Sequence, residues 1–307
     1  MTAPWTEDDI PDQSGRTAVV TGANSGLGLV TTRELARAGA TVLMACRNLD
    51  KGAAAADRIR ASVPNAQVQV VELDLSSLDS VRQFADALDV DELDLLVNNA
   101  GIMWVPQQRS ADGFELQFGT NHLGHFALTG RLLARLNRAP APRVVTLSSN
   151  EHRRGHLHFD DLQLERRYGA RKAYRQSKLA NAAFALELDR RLRDAGSPIK
   201  SVLAHPGYTA TNLQTAGKTG PMNLVMELGN WLIGQSVEMG TLPSLYAATA
   251  PDVEGGEYYG PDRFREYRGH PTRVEVKAEG RDEENGRRLW SVSEELTGVT
   301  YDFARTA

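Results

Sequence analysis

Tyr174 and Lys178 stand four residues apart in a stretch of helical spacing, which puts a phenol and an ammonium group on one helix face. A phenol with a pKa near ~10 is a poor proton donor or acceptor at neutral pH, and a neighbouring lysine cation stabilises its phenolate. Taken alone, such a pair is an ordinary solvated helix face. It gains meaning from the run Thr21-Gly22-Ala23-Asn24-Ser25-Gly26-Leu27-Gly28 far upstream. That run lies between an apolar, β-branched stretch at 16–21 and a helical pattern at 27–38. Glycines there let the backbone turn tightly and approach a pyrophosphate with no Cβ in the way. The following helix presents free N–H groups and the positive end of its dipole to the phosphates. A tyrosine, a lysine and a phosphate-binding turn together point to proton transfer beside a bound dinucleotide.

The end of the second apolar run decides which dinucleotide is expected. An acidic residue there grips the ribose diol of NAD, and an arginine accommodates the additional phosphate of NADP. The chain reads Ala45-Cys46-Arg47-Asn48, with no acid. Arg47 can bind a phosphate bidentately, so NADP(H) is favoured over NAD. The alternative is that Arg47 stacks on the adenine or points to solvent.

The elements that must position these groups alternate regularly. Strands are expected at 16–21, 41–46, 67–73, 93–98, 143–148, 199–204 and 256–259, with helices at 27–38, 50–63, from Ser76 or Ser77 to about 88, 115–137 and 173–194. This pattern predicts an α/β chain, a doubly wound Rossmann-type fold with a seven-stranded, mainly parallel sheet and helices on both faces. One domain is expected over 1–307. Residues 212–240, with Met222, Met226, Trp231 and Ile233, form a substrate lid, their apolar side chains either lining a pocket or packing the lid on the body. Residues 261–307 form a C-terminal extension with a short last helix at 293–296, covering the pocket or an oligomer contact. The basic stretch 151–171 reads as a surface insertion or part of a substrate site. The groups Arg131/Arg135/Arg138 and Arg190/Arg191/Arg193 read as solvated helix faces.

Composition excludes several classes. The chain has 307 residues, and its net charge of −4, from 35 Lys plus Arg against 39 Asp plus Glu, gives no basic field for nucleic acid. The single cysteine, Cys46, makes neither a disulfide nor a thiolate metal cluster and reads as a buried strand residue. His122 and His125 have no acidic partner in the pattern, so no metal is expected. No apolar run approaches the ~20 residues of a membrane span, and the acidic N-terminus is unlike a signal peptide. A cytoplasmic protein is expected.

In their order along the chain these motifs resemble the short-chain dehydrogenase/reductase superfamily. The glycine run is of the type T-G-x3-G-x-G, followed by Asn98-Asn99-Ala100-Gly101, Asn121, the pair Tyr174-x3-Lys178 and Pro206-Gly207-Tyr208-Thr209-Ala210-Thr211. The resemblance implies a catalytic set of Asn121, Ser149, Tyr174 and Lys178. Ser149, rather than Ser148, would hold the substrate oxygen, and Asn121 would steady a proton relay to the lysine. It also implies cofactor contacts from Gly22, Asn24, Ser25, Gly26, Leu27 and Gly28, from Asp74 and Leu75 at the adenine, from Asn98, Ala100 and Gly101, and from Pro206, Gly207, Thr209 and Thr211 at the nicotinamide. Asp74 also suits a plain turn or cap. The 25-residue gap from Ser149 to Tyr174 is similar to the branch containing retinol dehydrogenases, WW-domain oxidoreductase and light-dependent protochlorophyllide reductase. That branch implies a small-molecule carbonyl or alcohol substrate of apolar character and a homo-oligomer as an option. A redox-inert dinucleotide sensor would keep the glycine run without needing Tyr174 and Lys178. A sugar-nucleotide epimerase would need a G-x2-G-x2-G turn, which is absent.

Overall fold

The computed structural model describes residues 4–209 and 235–303. Eight strands form one sheet in the order β3-β2-β1-β4-β5-β6-β7-β8. They are β1 (Thr17–Thr21), β2 (Thr41–Cys46), β3 (Val68–Glu72), β4 (Leu95–Asn98), β5 (Arg143–Leu147), β6 (Lys200–Ala204), β7 (Tyr258–Arg263) and β8 (Arg268–Arg273). The first seven run parallel, and β8 returns antiparallel to β7. The helices are α1 (Gly26–Arg37), α2 (Leu49–Ser62), α3 (Leu78–Ala87), a short α4 (Leu116–Phe118), α5 (Gly124–Arg138), α6 (Ala170–Asp194), α7 (Val237–Thr249), a short α8 (Ala278–Arg281) and α9 (Glu283–Thr297).

Alternation along the strands explains the layers. In β1, Ala18 and Val20 face a core with Leu35 of α1, Ile59 of α2 and Leu245 of α7. Val19 points the other way, toward Phe84 of α3, Phe126 and Leu128 of α5 and Phe184 of α6. Both faces are covered, so the strands read as continuous apolar runs. Cys46 ends β2 inside the first core, and burial pushes its thiol up to about 11. The strand order reverses between β1 and β4. A doubly wound sheet opens a crevice at that switch point, beyond the carboxyl ends of its strands.

The expected helix at 115–137 is present with an irregularity. A π-helical turn, Gly119–Leu123, separates α4 from α5. Gly124 follows at once, and a Cβ there would lie 2.3 Å from the Leu75 carbonyl oxygen. Only glycine lets α5 press this closely on the loop after β3. Ser77 caps α3 by accepting the Ser80 N–H.

The structure departs from the sequence expectation in three places. The sheet has an eighth strand inside the supposed extension. Arg268-Gly-His-Pro-Thr-Arg273 reads as loop because of Gly269, Pro271 and its charges, and an edge strand tolerates all of these. The last helix spans Glu283–Thr297, not 293–296, capped by Asp282 and ended by Gly298 at φ 65°. Its buried stripe is Gly286, Leu289, Trp290, Ser293 and Thr297, too polar to show apolar periodicity. The arginines at 190 and 191 are not plain solvated residues, since both pair with the buried Glu187 carboxylate. Most of the expected lid, including Met222, Met226, Trp231 and Ile233, lies outside the described residues.

Trp290 anchors α9. Its ring lies 4.5 Å from Tyr301, 5.1 Å from Phe126 and 5.9 Å from Phe184 by centroid, and the Arg191 guanidinium sits 4.5 Å above it. The replacement Trp290→Ala is expected to destabilise the fold by about 3–5 kcal/mol. Equilibrium denaturant unfolding measures this, and a loss under about 1 kcal/mol would show that α9 adds little to the core.

Candidate active site

Thr21 closes β1 and starts the turn. Its hydroxyl oxygen accepts the backbone N–H groups of Asn99 and Ala100, at 3.0 and 2.9 Å, and so joins the ends of β1 and β4. Gly22 (φ 67°) and Gly26 (φ 53°) take left-handed conformations. A Cβ on Gly28 would lie 2.4 Å from the Gly22 carbonyl oxygen. Ser25 precedes α1 with no side-chain capping bond, which leaves the first N–H groups of that helix facing outward.

These residues border a cleft of about 300 Å³ at the switch point. Gly22, Asn24, Ser25, Gly26, Leu27, Gly28, Arg47, Asp74, Leu75, Ala100 and Gly101, all expected from sequence, line it. Ala45, Leu73, Asn99, Ile102 and Thr120 line it too and were not singled out. Asn98 is not among the lining residues. It is fully buried, and its amide donates to the Thr129 hydroxyl at 3.0 Å. Its neighbour Asn99 lines the cleft and donates to the Thr21 carbonyl at 2.6 Å. Strand alternation could have flagged this swap, because a residue one step past the buried strand end turns the opposite way. Asp74 accepts from the backbone and hydroxyl of Ser76 while lining the cleft, so it is both turn residue and wall. Arg47 forms no ion pair among the described residues and is exposed at the mouth. A turn with no Cβ in the way, a free helix N-terminus and a cationic rim fit a pyrophosphate-bearing dinucleotide.

A second cavity, about 750 Å³, adjoins the first, and Leu27 lines both. Ser149, Tyr174, Pro206, Gly207 and Thr209 line it, with Met103, Trp104, Tyr208 and Tyr267 as apolar and aromatic walls. Tyr174 and Ser149 face this cavity together, and the Ser149 side chain favours the Tyr174 phenolate. Ser148 also borders the cavity, but it is buried and its hydroxyl donates to the Lys178 carbonyl at 2.8 Å. Thr211 lies outside the described residues.

Lys178 sits one turn beyond Tyr174 on α6 and donates to the Leu147 carbonyl at 3.1 Å. Its Nζ is 5.9 Å from the Tyr174 ring centroid. A Cβ on Gly101 would come within 3.5 Å of that Nζ, which places the lysine beside the cleft wall. Burial lowers Lys178 to about 8. Burial also raises Tyr174 to about 12, against the effect of the Ser149 side chain. Asn121 occupies the π-helical turn. Its amide donates to the Ile102 carbonyl and the Ser177 hydroxyl and accepts the Ile102 N–H, bracing the cleft wall against α6.

The histidines noted in the sequence are structural. Burial lowers His122 to about 3 and His125 to about 4, so both are neutral. His125 donates from Nδ1 to the Asn121 carbonyl and accepts at Nε2 from the Thr21 hydroxyl, both at 2.9 Å.

Comparison with known proteins agrees with this geometry. The family model for short chain dehydrogenases matches residues 16–220. Human retinol dehydrogenase 13 is 42% identical over 293 residues, covering 93% of this chain and 85% of its own length. Mouse retinol dehydrogenase 12 is 41% identical, covering 94% and 88%. Among solved structures, an uncharacterized protein from Mycobacterium paratuberculosis superposes with a TM-score of 0.83 at 46% identity, covering 98% of this chain and 100% of the other. The Pseudomonas aeruginosa RhlG/NADP active-site complex superposes with a TM-score of 0.63 at 25% identity, covering 80% and 94%. No helix among the described residues is long and apolar enough to cross a membrane. A nicotinamide-dinucleotide turn at the sheet's switch point, opening beside a buried tyrosine–lysine pair, thus goes with sequence kinship along nearly the whole chain: the protein belongs to the short-chain dehydrogenase/reductase family, in its retinol dehydrogenase-like branch, and is an NAD(P)-dependent oxidoreductase of alcohol and carbonyl groups.

Proposed function

We propose that the protein interconverts a carbonyl and an alcohol with NADP(H), on a substrate of apolar character, with Tyr174 as proton donor and acceptor. The observation that carries this reading is that Ser149 and Tyr174 line one cavity, which shares the Leu27 wall with the glycine-turn cleft. The bound dinucleotide supplies the hydride. In reduction, Ser149 holds the carbonyl oxygen, the Tyr174 hydroxyl gives it a proton, and C=O becomes CH–OH once carbon has gained the hydride. Lys178 then stabilises the phenolate left behind. Its Nζ is 5.9 Å from the Tyr174 ring centroid, close enough to offset part of the penalty that burial sets on that charge. Asn121 ties Ile102 of the cleft wall to Ser177, the residue before Lys178 on α6, and so helps to position the lysine.

Arg47 supports the NADP(H) preference, since it follows β2 at the edge of the cleft, is exposed and makes no ion pair among the described residues, so its guanidinium is available to a phosphate. The walls of Met103, Trp104, Tyr208 and Tyr267, and the kinship with retinol dehydrogenases, support an apolar substrate. A redox-inert sensor would have no use for a phenol and an ammonium group buried together at such desolvation cost.

Nicotinamide oxidation in a panel of hydrophobic aldehydes and ketones tests the reading. Tyr174→Phe is expected to lower kcat by about 10²–10⁴-fold with dinucleotide Kd little changed, and full turnover by this variant would remove the proton-transfer role. Arg47→Ala should weaken NADPH about ten- to a hundredfold and leave NADH unaffected, as measured by fluorescence titration. An unchanged NADPH/NADH ratio would leave Arg47 without that task. The pH dependence has a definite sign. Lys178 loses its charge as pH rises through about 8, so reduction should slow above that value. Lys178→Arg, which stays charged, should lose that falling limb even if its rate is lower.

A further inference from the structure

The tip of the β7–β8 hairpin reaches into the larger cavity through Arg265, Glu266 and Tyr267. Its backbone is unusual. Phe264, Arg265 and Glu266 have φ of 51°, 56° and 66°, three consecutive left-handed residues with no glycine among them. Such a run persists only where surrounding contacts over-determine it.

Those contacts converge on Glu266. One carboxylate oxygen accepts from Arg153 Nη2 at 2.7 Å, and the other faces His205 Nε2 at 3.2 Å. The Glu266 carbonyl accepts from the Asn150 side chain at 2.9 Å. The histidine tautomer follows from its other nitrogen. His205 Nδ1 accepts the Gly207 N–H at 3.2 Å, so the proton is on Nε2 and is donated to Glu266. His205 is fully buried against the Tyr258 ring, which fixes its plane. A second tether lies beside it, as the Tyr208 N–H donates to the Tyr267 carbonyl at 2.8 Å.

One end of this junction is the turn that starts at Ser149. Asn150 and Arg153 both belong to its 3-10 segment Asn150–Arg154. Within that segment His152 accepts the Lys277 N–H at Nε2 and therefore donates from Nδ1 to the Ser149 carbonyl. The other end is the Pro206–Gly207 turn after β6. No backbone hydrogen bond joins the two turns directly among the described residues.

We propose that Glu266 is a positioning residue. Through Arg153 and Asn150 on one side and His205 on the other, it fixes the Ser149 turn relative to the Pro206–Gly207 turn. This holds the substrate-oxygen site in register with the floor where the nicotinamide would lie. The strain in Phe264, Arg265 and Glu266 is what places the carboxylate between the turns. The inference rests on the roles given above to Ser149 and Pro206–Gly207.

Hydrogen exchange of the full chain, without dinucleotide, tests the junction apart from any turnover. In Glu266→Gln, exchange should accelerate at least tenfold at both 149–154 and 206–208, with the amides of β1 and β4 unchanged. In Arg153→Gln it should accelerate at 149–154 alone. Exchange within twofold of the parent at either segment in Glu266→Gln, or acceleration spread over β1 and β4, would overturn the proposal. With an active parent enzyme, Glu266→Gln should also lower kcat at least tenfold with dinucleotide Kd within twofold, and Glu266→Asp should recover part of the loss. Unchanged kcat would overturn the proposal as well. A parent that turns over no carbonyl would instead sink the functional reading and leave the exchange result to judge the junction.

Discussion

The Thr21 hydroxyl sits where the two halves of the sheet meet. Its oxygen takes N–H groups from the end of β4, and its proton goes to a neutral histidine on α5. The ring passes the constraint on to the Asn121 carbonyl in the π-helical turn. The ends of two paired strands and a helical turn beside them are thereby held by one polar network. Thr21 and His125 are fully buried and hydrogen-bonded, which makes the network stiff and intolerant of partial loss. The shape of the glycine turn, the lining of the cleft by Asn99 and Ala100, and the seat of Asn121 all depend on it.

A second constraint is electrostatic. Burial works on Tyr174 and Lys178 in opposite senses and disfavours the charged form of each. Each group alone would be a costly charge. With the two together, loss of the Tyr174 proton beside a charged Lys178 would create an ion pair rather than an isolated charge. Helix α6 permits this because its four-residue spacing puts both on one face, and the helix is largely buried through that stretch.

Much of this was legible in the sequence where local chemistry and global position agree. The strands β1, β2, β5 and β6 appear as apolar runs because both faces are covered, and the glycine turn reads correctly because it sits between strand and helix. What was illegible depended on tertiary context. Asn98 and Asn99 are the same residue type, and only the end of β4 decides which one meets the cleft. β8 is an edge strand whose glycine, proline and charges carry no strand signal. α9 buries serine and threonine beside Trp290, so its stripe lacks hydrophobic period. Glu266 lies in a charged, exposed-looking stretch, and nothing local shows that His205 and Arg153, far apart in the chain, both reach it.

The docking of α9 also orders events in time. Trp290 and Tyr301 cover Phe126 and Phe184, which come from helices made much earlier during synthesis. Until α9 docks, the aromatic side chains of α5 and α6 that it covers have no partner from this segment. A chain in which the sheet and its dinucleotide half had formed before α9 docked would therefore expose an aromatic patch. Such a patch is open to chaperones and to neighbouring chains.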